Sequence, residues 1–340
     1  MSAPVGLLFS DVDGTLVHYA DALAAHGTLS SSEADGPLDT YTPAVRSGGC
    51  CACFQPVTPL TTRDRLPTQD GGAPCRVLAL PPSSTGLQGY ISLRTLQLVS
   101  QLRERRHRFV IVSGMRMSTF MQRLRQLPAA CAYVVENGGR IFYTDSGAAP
   151  TAAPLVEDVA WRRVHAPAAG PAAQEALPAA QRVGPLWDAY RAFVAAGFRC
   201  DVAGYSTAVR VSVGRDQPAE AAEAALAAAL KALPDGLTYA YNLGAADVTP
   251  ATSGKANALR YLAERWGAQA GDARCVCMGD DDNDCEMAAT ASHAFLPGVN
   301  ADTLAAAVRA TPHQFTVSSR AIFAATENML ERVLARFEAL

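Results

Sequence analysis

Short apolar runs alternate with helical periodicities along most of this chain. Residues 5–9, 109–112 and 275–278 are such runs, and continuous apolar stretches of this length suit parallel strands buried on both faces. Behind the second run, Leu93, Leu96, Val99 and Leu102 recur at helical spacing and lead into a basic stretch at 103–106. That order predicts a packed helix whose last turn places cations at the negative pole of its dipole. The same rhythm predicts a helix over 117–127, a βα unit from 131 and a short strand over 140–143. It resumes with a helix over 255–266, a strand near 293–296 and helices over 303–309 and 322–337.

Two stretches break the rhythm. From 21 to 89 the chain is rich in Ser, Gly, Pro, Thr and Ala with little apolar periodicity, and is read as a mostly irregular insertion. Between 144 and 245 an Ala/Pro-rich opening gives way to a helix near 186–196, an alternating strand over 209–213, a helix over 219–233 and a strand near 237–241. Alternation with polar residues predicts an antiparallel sheet that is wet on one face. The fold class is therefore α/β: a doubly wound, Rossmann-like parallel-sheet core built from 1–143 and 246–340, with an inserted α+β cap domain over 144–245. Ligands collect outside the carboxyl ends of such strands, so Asp11, Ser113 and Asp280 are expected to converge.

The 340 residues, 49% of them hydrophobic, are enough for one or two domains with a sizeable core. With 29 Lys and Arg against 32 Asp and Glu, the net charge of −3 provides no general grip on nucleic acid or an anionic membrane. The apolar runs fall far short of the ~20 residues that span a bilayer. Nine cysteines, an odd number, lack the pattern of a secreted disulfide framework, and residues 5–9 read as a strand rather than a leader. The expectation is a cytoplasmic protein whose partner is a small molecule. Cys50, Cys51, Cys53 and Cys75 lack the repeated Cys-x-x-Cys spacing of tetrahedral zinc sites, so they are read as free loop thiols.

The strand ends carry the chemistry. In Asp11-Val-Asp13-Gly14-Thr15 two carboxylates sit two residues apart, with Gly14 permitting a tight turn. Asp11 fits the role of nucleophile on phosphorus, and Asp13 that of an acid for the departing oxygen and then a base for water. Three consecutive acids at Asp280-Asp281-Asp282 concentrate charge in one turn, which a cation would relieve. Mg²⁺ suits this set, with Asp11, the main-chain carbonyl of Asp13 and Asp280 as ligands. Ser113, the Gly114 amide and Lys255 offer donors and a positive charge for phosphoryl oxygens, and a helix N-terminus adds a favourable field.

Together, Asp11-Val-Asp13-Gly-Thr, Ser113, Lys255 and Gly279-Asp280-x-x-Asn283-Asp284 resemble the haloacid dehalogenase superfamily on both sides of the cap. The resemblance implies Mg²⁺-dependent phosphoryl transfer, with Asp11 as nucleophile and Asp13 as acid/base. Ser113, Gly114, Lys255 and Asn283 would bind the phosphate, Asp280 the metal, and Asp284 would support them. Because the second domain lies between Ser113 and Lys255, the chain resembles the branch with an α/β cap. Glu136-Asn137-Gly138-Gly139 and Asp247-Val-Thr-Pro250 are similar to Cof-like and sucrose-phosphate-phosphatase-like members, which implies a sugar phosphate or related metabolite as substrate. Two departures stand out: the separation of Asp13 from Ser113 is swollen by the insertion, and Arg116 lies one place later than the Thr-Gly-Arg of that branch.

The first expectation is a phosphatase. A phosphomutase would use the same residues, and a catalytically idle scaffold that recruits partners through the insertion is a third possibility. In the cap, Arg210 is expected to face solvent, although it, Tyr241 and Asn242 are within reach of a sugar in principle. Trp161 and Trp187 are expected in the cap core, and His18 is expected to be a loop residue without a role.

Overall fold

Each long apolar run forms a buried strand. A computed structural model describes residues 5–31, 38–44, 74–83, 86–144, 155–214, 219–242 and 244–340; Cys50, Cys51 and Cys53 lie outside them. The first half contains β1 (Leu7–Ser10), β2 (His18–Tyr19), α1 (Ala20–His26), β3 (Gly27–Ser30), β4 (Leu38–Pro43), β5 (Cys75–Ala79), β6 (Gly89–Ser92), α2 (Leu93–Glu104), β7 (Arg108–Val112), α3 (Met117–Arg123), β8 (Ala132–Val135), β9 (Arg140–Thr144) and β10 (Leu155–Glu157). After these come α4 (Val159–Val164), α5 (Ala166–Ala169), α6 (Pro185–Ala195), β11 (Arg199–Asp201), β12 (Val209–Ser212), α7 (Ala219–Lys231), β13 (Leu237–Asn242) and β14 (Ala245–Pro250). The chain closes with α8 (Lys255–Arg265), β15 (Cys275–Met278), α9 (Cys285–Thr290), β16 (His293–Leu296), α10 (Asp302–Ala310), β17 (Phe315–Val317) and α11 (Ile322–Glu338).

The main sheet runs β10-β9-β8-β7-β1-β15-β16-β17. From β8 to β17 its strands are parallel, while β9 and β10 add an antiparallel edge. Alternate residues of each strand feed opposite faces. Leu8, Phe109, Ile111, Val276 and Met278 pack with Leu98 and Leu102 of α2 and Met329 and Val333 of α11. Leu7, Phe9, Val110, Val112, Cys275 and Cys277 pack with Leu259 and Leu262 of α8 and Met287 of α9. Both faces are thus covered, which is why these strands read as unbroken apolar runs. The chain leaves β1 to build β7 on one side and returns to lay β15 on the other, so the topological switch lies at the carboxyl end of β1. The expected α/β doubly wound core is present.

A second sheet, β11-β12-β14-β13, is antiparallel. Val209, Val211, Ala246 and Val248 on one face pack with Leu186, Trp187 and Phe193 of α6 and Leu226 and Leu230 of α7. Its polar face is only partly wet, where the alternation predicted a wet one, because Asp247 and Thr249 are buried while Thr238 is exposed. The Arg210 side chain is only 15% exposed and pairs with Asp247 at 3.1 Å, which corrects its expected solvent position. Two short strands also depart from the sequence-based division. β10 joins the main sheet through residues assigned to the cap, and β14 carries 246–250 into the small sheet.

The described part of the insertion is not irregular: its β3, β4 and β5 join the flanking β2 and β6 in an antiparallel sheet, β2-β6-β5-β4-β3. It escaped the periodicity because its strands bury so little: of β4, only Tyr41 is buried. Tyr41, Leu23 and Val77 gather on Phe323 of α11. His18 is likewise a buried strand residue, edge-on to Phe323 and 2.9 Å from Thr326 Oγ1 in a hydrogen bond. Burial, with His26 adding to it, pushes its pKa down to about 3. Trp187 is core to the small sheet, whereas Trp161 packs with the main sheet and donates to Gly138 O at 2.9 Å. Among the described residues no helix is long and apolar enough to cross a membrane.

Candidate active site

Asp11, Ser113 and Asp280 follow three neighbouring strands, β1, β7 and β15, at the switch point. Asp11 continues the ladder, its N–H donating to Met278 O at 3.0 Å. Ser113 donates its N–H to Val134 O at 2.8 Å, and its Oγ accepts from Met115 N–H at 3.1 Å. Gly14 closes the first turn with φ +86°; a Cβ there would lie 2.1 Å from Asp280 Oδ2. Glycine is what lets the two acidic turns touch. They are then joined by Thr15 Oγ1, which donates to Asp280 Oδ1 at 2.6 Å, while Asn300 Nδ2 donates to Asp280 Oδ2 at 2.6 Å.

Lys255 is the first residue of α8 and is buried. Its Nζ donates to Asp11 Oδ1 at 2.6 Å, Asp284 Oδ1 at 2.7 Å and Asn283 Oδ1 at 3.2 Å. The other oxygen of Asp284 accepts from the N–H groups of Asp280 at 3.0 Å and Asp281 at 3.3 Å. One carboxylate therefore orients both the amine and the acidic turn.

Carboxylate oxygens of Asp11, Asp280 and Asp284 lie within 4.8 Å of one another, all three residues buried. Burial raises the Asp11 pKa well above its ordinary value; Lys255 opposes this, and Asp284, Asp280 and Asp13 add to it. Burial, then Asp284, pushes Asp280 up to about 7. Burial alone would lower the pKa of Lys255, but Asp11 and Asp284 outweigh it and raise it. A cluster short of positive charge in this way fits a divalent cation. Asp284 accepts three hydrogen bonds, two of them on one oxygen, whereas each Asp280 oxygen accepts one and Asp11 accepts one from Lys255, so Asp11 and Asp280 keep more capacity to ligate an ion.

Of the residues singled out in the sequence, Asp11, Lys255, Asp280, Asn283 and Asp284 meet directly, and Ser113 with Gly114 ends the adjacent strand. The Asp13 side chain lies apart from the acidic cluster, bound to Tyr19 OH at 2.6 Å and Arg123 Nη1 at 3.0 Å. Arg116 turns to the small sheet, pairing with Asp201 at the end of β11 and donating to Ala203 O at 2.6 Å. Tyr241 is 44% exposed. Arg123, Tyr19, Thr15 and Asn300 were not anticipated. Arg123 in particular looks like an ordinary helix-end cation in sequence. A polar chain also links the site to the small sheet. Asn283 Nδ2 donates to Asn137 Oδ1 at 3.4 Å, and Asn137 Nδ2 to Asp247 Oδ2 at 2.9 Å. Asn137 adopts φ +53°, a left-handed conformation that asparagine tolerates well.

The family model described as sucrose-6F-phosphate phosphohydrolase matches residues 207–335, a stretch that holds Lys255 and the acidic turn after β15. The sucrose-phosphatase of Synechocystis sp. PCC6803, solved with sucrose and phosphate, is similar in structure, with a TM-score of 0.54 at 12% identity over 72% of this chain and 91% of that one. A haloacid dehalogenase-like hydrolase from Bacillus subtilis aligns with a TM-score of 0.50 at 12% identity, covering 98% of this chain and 93% of that one. Likeness at such identities is likeness of fold. No curated protein matches the chain in sequence. The expected resemblance to haloacid dehalogenase-like phosphatases is borne out in fold, and in sequence over residues 207–335.

Proposed function

We propose that this protein is a Mg²⁺-dependent phosphomonoester hydrolase acting on a small phosphorylated metabolite of the sugar phosphate class. The observation that carries the reading is the buried contact of Lys255 Nζ with Asp11 Oδ1 at 2.6 Å, with Asp280 in the same acidic cluster. Lys255 opposes the rise in the nucleophile's pKa that burial and three neighbouring acids impose. The reading divides the chain into a core over 1–143 and 246–340 and a cap over 144–245, with β10 added to the core and β14 to the cap.

Asp11, the main-chain carbonyl of Asp13 and Asp280 would hold the ion. Bound Mg²⁺ supplies positive charge for the phosphoryl oxygens. Lys255, Ser113, the Gly114 amide and Asn283 orient the same phosphate, and Asp284 keeps Lys255 aimed. A carboxylate oxygen of Asp11 attacks phosphorus as the ester P–O bond breaks, and Asp13 gives its proton to the departing oxygen. Water then attacks the aspartyl phosphate, Asp13 takes its proton, and inorganic phosphate leaves. Small-sheet closure over the site would exclude bulk water from the aspartyl phosphate.

The test is phosphate release from a panel of sugar, polyol and nucleotide monophosphates with Mg²⁺. Turnover of one of them, abolished in Asp11→Asn, supports the reading. Activity retained in that variant, or isomer formation without phosphate release, overturns hydrolysis by this route.

A further inference from the structure

We propose that Arg123 and Tyr19 are positioning residues for Asp13, held in place by the sheet of the 21–89 insertion; this rests on the phosphatase reading. Both donors converge on one oxygen: Tyr19 OH reaches Asp13 Oδ1 at 2.6 Å and Arg123 Nη1 reaches it at 3.0 Å. Among the described residues Asp13 Oδ2 has no hydrogen bond, so it is the oxygen left to carry the proton and meet the ester. A carboxyl group gripped by one oxygen has its rotation fixed, and proton transfer depends steeply on such alignment.

The grip comes from outside the Asp11–Thr15 motif. The Arg123 side chain is 0% exposed and that of Asp13 20%, so the guanidinium is held in one orientation by burial and by its hydrogen bonds. Arg123 Nε donates to Pro81 O at 3.0 Å, just past β5. Tyr19 ends β2, which pairs with β6 through Gly89. Gly89 leaves the room that this arrangement uses: a Cβ there would meet Val17 Cγ1 at 2.7 Å and come within 3.6 Å of Arg123 Nη2. The insertion thus builds one wall of the acid/base position, a task distinct from holding metal or phosphate.

A positioning role affects the leaving-group step selectively. Phenyl phosphate has a poorer leaving group than p-nitrophenyl phosphate and depends more on protonation by Asp13. In the full-length protein with Mg²⁺, Tyr19→Phe, which deletes only the hydroxyl, should lower kcat on phenyl phosphate roughly tenfold more than on p-nitrophenyl phosphate, with KM nearly unchanged. Arg123→Met should widen that split and Arg123→Lys should partly restore it. Equal fractional losses on the two esters, or variants indistinguishable from the parent, would overturn the positioning role while leaving the phosphatase reading intact. A parent protein that turns over neither ester, nor any of the panel above, defeats that reading and this one together.

Discussion

Lys255 Nζ and Asp11 Oδ1 lie 2.6 Å apart although 244 residues separate them in the chain. The contact joins the first turn of α8 to the end of β1, and it places a buried cation among carboxylates whose pKa burial raises. Everything proposed for Asp11 as a nucleophile depends on that one amine.

Replacing Lys255 by Met should therefore do more than remove a phosphate contact. We expect turnover to fall by about 10²–10³-fold, as for loss of one well-placed donor to a developing anion. What remains should shift to higher pH, because Asp11 loses the cation that lowers its pKa. A pH–rate profile of the variant checks this; an unshifted profile would separate Lys255 from the ionisation of Asp11.

Magnesium should stabilise the fold in a pH-dependent way. The Asp280 carboxyl is raised from 3.8 to about 7 in the folded state, so the folded state holds that proton more tightly than the unfolded chain does. Its contribution is fully present at low pH and is lost as pH rises through about 7. A cation offsets that loss, so the gain in Tm on adding Mg²⁺ should be small near pH 5 and large near pH 8, roughly the span of this titration. A gain that is independent of pH would show that Asp280 does not release its proton to bind the ion.

Acid should destabilise the protein from a different direction. Burial, the leading cause in each case, holds His18 down to about 3, and His165 and His293 down to about 4. An unperturbed histidine titrates at 6.5, so the folded state resists protonation. The stability this provides is present above about 6.5 and lost as pH falls toward about 4. Thermal melts from pH about 7 down to about 4 should show it, and His18→Gln, which removes one such group, should flatten the slope.

Gly14→Ala should damage the site from within. The new Cβ would lie 2.1 Å from Asp280 Oδ2 on a backbone at φ +86°, so we expect a loss of about 1–3 kcal/mol in stability. The displaced Asp280 should also raise the Mg²⁺ concentration needed for half-maximal activity. A magnesium titration of the variant checks this, and an unchanged midpoint would count against contact between the two turns.

Asp247→Ala should uncouple the small sheet from the site. Asp247 is 2% exposed and joins Asn137 to Arg210, so its removal should cost about 1–3 kcal/mol. If the polar chain helps to seat the small sheet over substrate, KM should rise more than kcat falls; steady-state kinetics on the best substrate of the panel decides it.

The core and the polar residues that end its strands were legible because both obey local rules. Residues 5–9 and 275–278 are apolar without interruption since both sheet faces are covered, and the polar residues that follow them stand out by contrast. The described strands of the insertion went unseen because strands such as β4 bury a single side chain, Tyr41, and so leave no alternation to detect. Arg210 was misplaced for a related reason: alternation shows that two faces differ, not that the polar one meets water. Arg123 was invisible because its partners, Asp13, Tyr19 and Pro81, are brought to it only by tertiary structure.

The place of α11 bears on how the molecule is made. Thr326 Oγ1 donates to Thr15 O at 2.6 Å, across 311 residues, and the same helix carries Phe323 against His18 and Tyr41. On the ribosome the turn that holds Asp11 emerges well ahead of the hydroxyl that caps it, 311 residues further along the chain. A nascent chain halted before α11 therefore holds every acidic group of the first motif in a turn that is still unfinished.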